Sequence, residues 1–163
     1  MNLIVAVDKN WGIGRDGGLL THLPEDMKYF RETTRGKTVV MGRKTLESFP
    51  GGRPLKNRVN IVLSKREDYA PEGVQVCRSV DEVLEALKGC GEEDVFIIGG
   101  GIVYREFLPY CKKAYVTYIH RAFEVDTDFE NLDRDKAWKL ASVSDMREHE
   151  GISFEFRVYE RIG

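Results

Sequence analysis

Short apolar runs alternate with segments of helical periodicity over most of the chain. The runs at 2–7, 37–42, 58–64, 74–77, 94–100 and 113–120 are mostly apolar, as expected of strands that are buried in a sheet. Segments at 24–34, 43–49, 79–89 and 101–109 predict four helices, the third opened by the capping box Ser79-Val80-Asp81-Glu82. Strands separated by helices indicate a largely parallel, twisted sheet that is covered on both faces.

The last part of the chain has a different pattern. Residues 138–145 and 152–160 alternate between apolar and polar positions and are joined by the polar segment MREHEG, which predicts an antiparallel hairpin. No linker rich in Pro or Ser divides the chain. We therefore predict a single α/β domain over 1–163, with a mostly parallel eight-stranded sheet, a C-terminal antiparallel hairpin and four helices on the sheet faces.

Composition and charge exclude several classes of function. The chain has 25 Lys and Arg against 27 Asp and Glu, a balance that argues against binding to nucleic acid or to a membrane surface. No apolar run approaches the ~20 residues of a membrane helix, and acidic and basic residues interrupt the N-terminus before a signal-peptide core can form. Three scattered cysteines and three scattered histidines predict neither disulfides nor a metal site. The expectation is a cytoplasmic monomer.

The segment "GIGRDG" at 12–17 matches the G-x-G-x-x-G pattern of dinucleotide-binding proteins, but its context does not fit. Residues 9–11 separate it from the preceding strand, and no helix is predicted before Pro24. The second strand is followed by the basic Arg43, where that motif requires an acid. We interpret 9–23 instead as a long loop that acts as a lid, with glycines that permit positive φ angles.

Better candidates for phosphate binding lie at the predicted carboxyl ends of the strands. Gly99–Gly101 join a strand to a helix, so that backbone N–H groups can approach an anion. Gly42–Thr45 occupy a second such junction, and Lys65-Arg66 and Arg78 follow two further strands. Open α/β sheets bind ligands at this edge, and basic side chains there suit a dinucleotide with an additional phosphate. This arrangement favours NADP over NAD.

The chemistry is less clear from residue patterns alone. Asp26 lies in the first turn of the predicted helix at 24–34, where a solvated acid stabilises the helix dipole, and the residues alone favour that role. The alternative is a pocket carboxylate beside Met27 and Phe30, with a perturbed pKa. No motif for a nucleophile is present. What remains is an enzyme that uses a bound cofactor and one carboxylate.

Several motifs together give a more specific indication. The chain contains "AVD", "GIG", "LPEDMKYF", "VVMGRKTLESF", "VFIIGGGIVYREFLP" and "DTDF" in this order. In these residues, and over nearly its whole length, it resembles the dihydrofolate reductase family. The resemblance implies an oxidoreductase that transfers a hydride from C4 of NADPH to C6 of 7,8-dihydrofolate and delivers a proton to N5. The product would be tetrahydrofolate for one-carbon metabolism, and antifolates would be expected to inhibit the enzyme.

The resemblance also implies residue roles. Asp26 would bind the pterin and support protonation of N5, and Thr117 would hydrogen-bond Asp26 directly or through water. The substrate would contact Ile4, Val5, Met27, Phe30, Phe49, Leu55 and Ile98, with Arg58 binding the glutamate α-carboxylate. The cofactor would contact Ala6, Ile13, Gly14, Gly42, Arg43, Lys44, Thr45, Leu63, Ser64, Lys65, Arg66, Arg78, Ile98, Gly99, Gly100, Gly101, Ile102, Val103 and Tyr104.

The chain departs from the family pattern at one place near the lid. Leu20-Thr21 stand where members of the family usually carry Pro-Trp, and the indole normally packs at the pocket. Two other functions stay open from the sequence, and this departure supports the second of them. One is a related NADPH reductase that acts on another pterin or on a pyrimidine. The other is a module that binds a nucleotide without turning it over.

Overall fold

The computed structural model describes residues 1–14 and 19–162. Among the residues described there are four α-helices: α1 (Pro24–Thr34), α2 (Arg43–Ser48), α3 (Val80–Ala86) and α4 (Gly101–Phe107). The same residues contain eleven strands: β1 (Asn2–Val7), β2 (Gly12–Gly14), β3 (Thr38–Gly42), β4 (Val59–Leu63), β5 (Gln75–Cys77), β6 (Val95–Gly99), β7 (Lys113–Ile119), β8 (Thr127–Asp128), β9 (Trp138–Val143), β10 (Arg147–His149) and β11 (Ile152–Arg161). None of the helices in this part of the chain is long and apolar enough to cross a membrane.

Six of these strands form the parallel centre of the main sheet, in the order β7-β1-β6-β3-β4-β5. From β1 the chain moves through α1 to β3 and onward to β5. It then returns to place β6 next to β1, and β7 on the other side of β1. The strand order thus reverses beside β1, and in open α/β sheets the crevice at such a reversal binds ligands.

Burial along β1 shows why an apolar run predicts a strand in a sheet that is covered on both faces. Leu3, Val5 and Val7 pack into one hydrophobic cluster, and Ile4 packs into a second cluster on the opposite face. All four side chains are buried. Successive residues of a strand point to opposite faces, so an uninterrupted apolar run requires apolar partners on both sides.

The C-terminal strands complete the sheet at the β7 edge. β11 pairs antiparallel with β7 over seven residue pairs, from Phe154↔Ile119 to Glu160↔Lys113. β9 and β10 both pair with the other edge of β11. The predicted mostly parallel sheet with an antiparallel end is confirmed, but across the described residues it has nine strands rather than eight. The additional strand is β10, which lies in the segment assigned to the hairpin connection and is too short to show a period.

The prediction of a loop over 9–23 is wrong at 12–14. Gly12–Gly14 form β2, which pairs antiparallel with β8 at Thr127–Asp128. Gly12 has no positive φ, and a Cβ there would lie 2.6 Å from Cγ2 of Val125, so close packing explains this glycine better than a turn does. The partner strand lies more than a hundred residues away, where local periodicity gives no signal. Residues 15–18 of the predicted lid lie outside the described residues.

The helices begin with the predicted local signals. Pro24 opens α1, and Gly36 follows its end with a φ of 75°. Ser79 caps α3, accepting a hydrogen bond from the backbone N–H of Glu82 at 3.1 Å. The reciprocal bond of the capping box is displaced by one residue, because the Glu82 carboxylate accepts from the N–H of Arg78 at 2.6 Å.

Candidate active site

The first turn of α1 places Asp26 against the end of β7. Thr117, which lies opposite Ala6 in the β1–β7 register, donates a hydrogen bond from Oγ1 to Oδ1 of Asp26 at 2.6 Å. Thr117 is buried and Asp26 is half-buried. Burial raises the pKa of the Asp26 carboxyl, and the Thr117 hydrogen bond opposes that rise. The interpretation of Asp26 as a solvated helix acid, which the residues alone favoured, is therefore wrong.

This environment gives the carboxylate a defined chemistry. A half-buried carboxylate with a raised pKa retains affinity for a proton closer to neutral pH than a surface aspartate does. Its second oxygen, Oδ2, accepts no hydrogen bond from the described protein groups and can pair with an N–H edge of a ligand. The arrangement suits a ligand that carries adjacent N–H groups and takes up a proton during the reaction.

The crevice expected at the reversal of strand order, beside Asp26, is called here the cleft. The apolar side chains of one hydrophobic cluster lie on the same face of the sheet as Ile4. Most of the predicted substrate contacts belong to the second hydrophobic cluster, namely Ile4, Phe30, Phe49, Leu55 and Ile98. Met27 is 40% exposed and belongs to none of the clusters. The side chain of Val5 points into the opposite face of the sheet, so only its backbone can face this cleft. A flat aromatic ligand would find apolar contacts along this wall.

The carboxyl ends of β1 and β6 meet at the predicted junction of the two rings. Tyr104 donates its phenol hydrogen to the carbonyl oxygen of Ile4 at 2.7 Å, and burial raises its pKa, with Asp26 contributing, so that the hydroxyl stays a donor. Gly99 has a φ of 129°, which only glycine adopts readily, and a Cβ there would lie 3.5 Å from Thr45 Oγ1. The peptide bond between Gly99 and Gly100 is cis.

At the start of α4, some of the predicted cofactor contacts are exposed and others are buried in the core. Gly100 is the N-terminal cap residue and Gly101 is the first residue of the helix. Ile102 is 69% exposed, and Val103 is buried in the core. The backbone at 99–101 therefore borders the cleft, whereas the side chain of Val103 points into the core.

The predicted basic residues lie at neighbouring strand ends. Gly42 lies opposite Leu63, and Leu63 lies opposite Cys77, so the residues that follow β3, β4 and β5 form one edge. That edge carries the predicted adenosine contacts Arg43, Lys44, Thr45, Ser64, Lys65, Arg66 and Arg78. Arg43 pairs with Glu47 at 3.0 Å, and Ser64 is buried. The structure thus brings these residues together, as the sequence predicted.

Arg58 lies at the far end of α1. Its Nε donates to Thr34 Oγ1 at 2.9 Å, and its Nη1 donates to the carbonyl of Lys56 at 2.9 Å. Burial lowers the pKa of Arg58, and the nearby Arg35 and Arg31 add to that effect. Within 1–14 and 19–162, no carboxylate lies within 4.0 Å of this guanidinium. A ligand carboxylate would supply the missing counter-charge.

The structure also shows a residue that sequence reasoning missed. The Asp8 carboxylate is 1% exposed and accepts hydrogen bonds from the N–H groups of Asn10 and Gly12, both at 2.8 Å, and of Phe123 at 3.0 Å. It joins the segment before β2 to the segment after β7. The motif "AVD" contains this residue, but its partner at 123 could not be identified from local sequence. Ile13 lies in β2, next to this anchored turn.

The departure at Leu20-Thr21 lies just beyond the undescribed residues. Leu20 packs against the small cluster of Leu23, Ile119 and Phe154, and Thr21 is half-buried.

In the described part of the chain, no three His, Cys, Asp or Glu side chains are grouped in a way that could hold a metal ion.

Comparisons with known proteins agree with this geometry. The family model for dihydrofolate reductase matches residues 1–161. Dihydrofolate reductase of Bacillus subtilis (strain 168) is 40% identical over 163 residues, covering 99% of this chain and 94% of the relative. Dihydrofolate reductase of Staphylococcus haemolyticus is 39% identical over 164 residues, covering 99% of this chain and 96% of that protein.

A solved structure extends the agreement to the fold. Dihydrofolate reductase from Enterococcus faecalis, complexed with NADP(H) and RAB-propyl, matches with a TM-score of 0.86 and 37% identity, over 99% of this chain and 96% of that one. The match in fold accompanies a sequence match over nearly the whole length, with Asp26 and Thr117 joined at the reversal of strand order. The chain therefore belongs to the dihydrofolate reductase family.

Proposed function

We propose that this dihydrofolate reductase reduces 7,8-dihydrofolate to tetrahydrofolate with NADPH in the cleft between α1 and the carboxyl ends of β1 and β6. The observation that carries the proposal is the hydrogen bond from Thr117 to Asp26 at 2.6 Å, inside a cleft with an apolar wall. It holds a carboxylate of raised pKa where a pterin ring would need one.

The substrate is held at its two ends. Asp26 accepts hydrogen bonds from the 2-amino group and N3 of the pterin, while Phe30 and Ile98 contact the rings. Arg58, which has no carboxylate partner among the described residues, binds the α-carboxylate of the glutamate tail. Met27, Phe49 and Leu55 contact the part of the substrate between these ends, and the backbone of Ile4 and Val5 contacts the pterin.

The residues at the other side of the cleft fit NADPH. Backbone N–H groups at Gly99–Gly101 bind the pyrophosphate, and the absence of a side chain at Gly99 and Gly100 leaves open the space beside the Thr45 hydroxyl. The basic edge formed after β3, β4 and β5 suits the adenosine phosphate. Ala6, Ile13, Gly14 and Tyr104 border the nicotinamide. When bound, NADPH supplies the hydride that C6 of dihydrofolate accepts.

The chain's own contribution to the reaction is orientation and proton supply. Thr117 fixes the Asp26 carboxylate, and Asp26 stabilises positive charge on the pterin as N5 is protonated, with water carrying the proton where Asp26 does not reach N5. The apolar wall excludes bulk water from the reacting atoms. We further propose one domain over 1–163, a cytoplasmic monomer, and binding of antifolates in the same cleft.

The experiment that tests this function is oxidation of NADPH by the purified protein, followed by absorbance, with and without 7,8-dihydrofolate. We expect oxidation that depends on dihydrofolate and is largely lost in Asp26→Asn, because an amide cannot carry the stabilising charge. Glu25→Gln is the matched control, since Glu25 pairs with Arg147 on the outer side of α1.

Substrates without a glutamate tail separate this function from a related reductase. A tail-free dihydropterin lacks the carboxylate for Arg58 and should require a much higher concentration than dihydrofolate. Equal KM values for the two substrates, or NADPH oxidation that does not depend on dihydrofolate, would contradict the proposal. Binding of NADPH without oxidation would indicate a nucleotide-binding module instead.

A further inference from the structure

The side chain of Arg78 packs against the loop at residues 64–69, called here the 64–69 loop. Its Nη1 donates to the carbonyl oxygens of Ser64, at 3.3 Å, and of Arg66. Its Nη2 donates to the carbonyl oxygens of Glu67, at 3.0 Å, and of Tyr69, at 3.2 Å. One guanidinium therefore binds four carbonyls of a loop that precedes it by about a dozen residues.

Arg78 is itself held in place by its neighbours. Its backbone N–H donates to the carboxylate of Glu82 in α3 at 2.6 Å. The preceding residue, Cys77, accepts a hydrogen bond from the N–H of Ser64 at 2.9 Å. The guanidinium thus projects from a fixed strand end into the 64–69 loop, where it satisfies carbonyls that no strand or helix pairs.

This arrangement conflicts with a direct contact between Arg78 and a phosphate. A guanidinium has four Nη hydrogens and one Nε hydrogen, and a bidentate grip on phosphate uses two N–H groups on one edge, either one from each Nη or the Nε–H with one Nη–H. The loop carbonyls take a bond from Arg78 at four positions, which leaves the Nε hydrogen. Lys65 and Arg66, in contrast, are exposed and form no ion pair among the described residues.

We propose that Arg78 is a positioning residue for cofactor specificity: it shapes the 64–69 loop so that Lys65 and Arg66 present their charges to the 2′-phosphate of NADPH. The inference rests on the proposed function, because it requires NADPH as the cofactor. It corrects the expectation that Arg78 contacts the adenosine phosphate itself. Arg78 then favours NADPH over NADH only through the loop.

The test compares dissociation constants for NADPH and NADH, measured by quenching of tryptophan fluorescence. Arg78→Lys keeps the charge but cannot bind four carbonyls, and Arg78→Gln removes the charge. Both variants should raise the dissociation constant of NADPH about tenfold or more, which is the equivalent of one charge-assisted hydrogen bond. The dissociation constant of NADH should rise less. The exposed Arg134→Gln serves as the control for loss of one positive charge elsewhere.

A double-mutant cycle separates positioning from direct contact. In the Lys65→Gln/Arg66→Gln background, Arg78→Gln should leave the ratio of NADPH to NADH affinity unchanged, because the charges that Arg78 positions are gone. A further fall of that ratio in this background would show direct contact and overturn the inference. Affinities of Arg78→Lys for NADPH and NADH that both equal those of the wild type would also overturn it, since charge alone would then suffice.

A separate measurement distinguishes loss of folding from loss of cofactor affinity. Thermal unfolding of each variant is followed by circular dichroism, and if Arg78→Gln does not fold, the smaller change Arg78→Lys carries the test. An equal loss of NADPH and NADH affinity in Arg78→Lys would show a merely structural role and overturn the inference. A wild type that does not bind NADPH would overturn the proposed function, and this inference with it.

Discussion

Removing the hydroxyl of Thr117 is the most direct test of how this site tunes its carboxylate. Valine has nearly the shape of threonine, so Thr117→Val deletes the hydrogen bond to Asp26 without creating a large cavity. The bond measures 2.6 Å and stabilises the ionised carboxylate against its burial. A hydrogen bond to a charged group contributes about 1.5–3 kcal/mol, so the carboxylate of the variant should bind its proton about ten- to a hundredfold more tightly.

The sign of the effect on activity follows from the proton that the reaction consumes. In the reactive complex Asp26 and the pterin together hold one proton, and the rate falls as the pH rises past the point at which this pair loses it. Since Asp26 holds its proton more tightly in Thr117→Val, the fall of kcat/KM for dihydrofolate should move to higher pH. Thr117→Ser keeps the hydroxyl and should retain the wild-type profile.

Two measurements check this reasoning independently. The first is the pH dependence of kcat/KM in wild type, Thr117→Val and Thr117→Ser. The second is the titration of the Asp26 carboxyl carbon by NMR in the ligand-free protein, with the signal assigned by its loss in Asp26→Asn. Identical titration midpoints in wild type and Thr117→Val would refute the role of this hydrogen bond, even if the activity fell.

Three further predictions follow from other contacts. Asp26→Asn should raise the thermal stability at neutral pH, because a raised carboxyl pKa means that ionisation costs folding free energy there; calorimetry should show the gain vanishing as the pH falls and the wild-type carboxyl is protonated. Arg58→Leu should raise KM for dihydrofolate more than tenfold in steady-state kinetics, because one charge-assisted bond to the glutamate tail is lost, and should leave NADPH affinity unchanged. Asp8→Asn should lower the free energy of unfolding in urea by about 1–3 kcal/mol, because an amide cannot accept from all three N–H groups.

Each of these has a distinct opposing result. A lower melting temperature of Asp26→Asn at neutral pH would show that ionised Asp26 is stabilised rather than penalised by its surroundings. A loss of NADPH affinity in Arg58→Leu equal to the rise in KM would place that residue's effect in general folding. Unchanged urea unfolding of Asp8→Asn would show that water replaces the missing acceptor.

The main sheet and the edge that carries its glycines and basic residues were predictable because their signals are local. The run at 2–7 is apolar at every position except Asn2, and only a strand with apolar contacts on both faces buries such a run. The glycines at 99–101 and the basic residues at 43–44 follow apolar strands directly, so a parallel sheet places them at one edge. The resemblance to dihydrofolate reductases then implied roles that these patterns alone did not give.

The features that the sequence did not predict depend on short elements or on partners that lie far away in the chain. β10 has only three residues, and β2 pairs with a strand more than a hundred residues away, so neither produces a period in the sequence. The environment of Asp26 depends on Thr117, ninety-one positions later. The four carbonyl partners of Arg78 are likewise set by the folded loop, because residue type alone does not show which groups a guanidinium contacts.

The sequence by itself determined which segments form strands and helices, which edge of the sheet carries the glycines and the basic side chains, and to which family the chain is similar. These properties follow from the order of apolar and polar residues and from local backbone preferences. Tertiary structure alone decided that Asp26 is half-buried rather than solvated, and that Asp8 joins two distant segments. The reason is that desolvation and hydrogen-bond partners depend on distances between residues far apart in the chain, which only the folded arrangement of the strands sets.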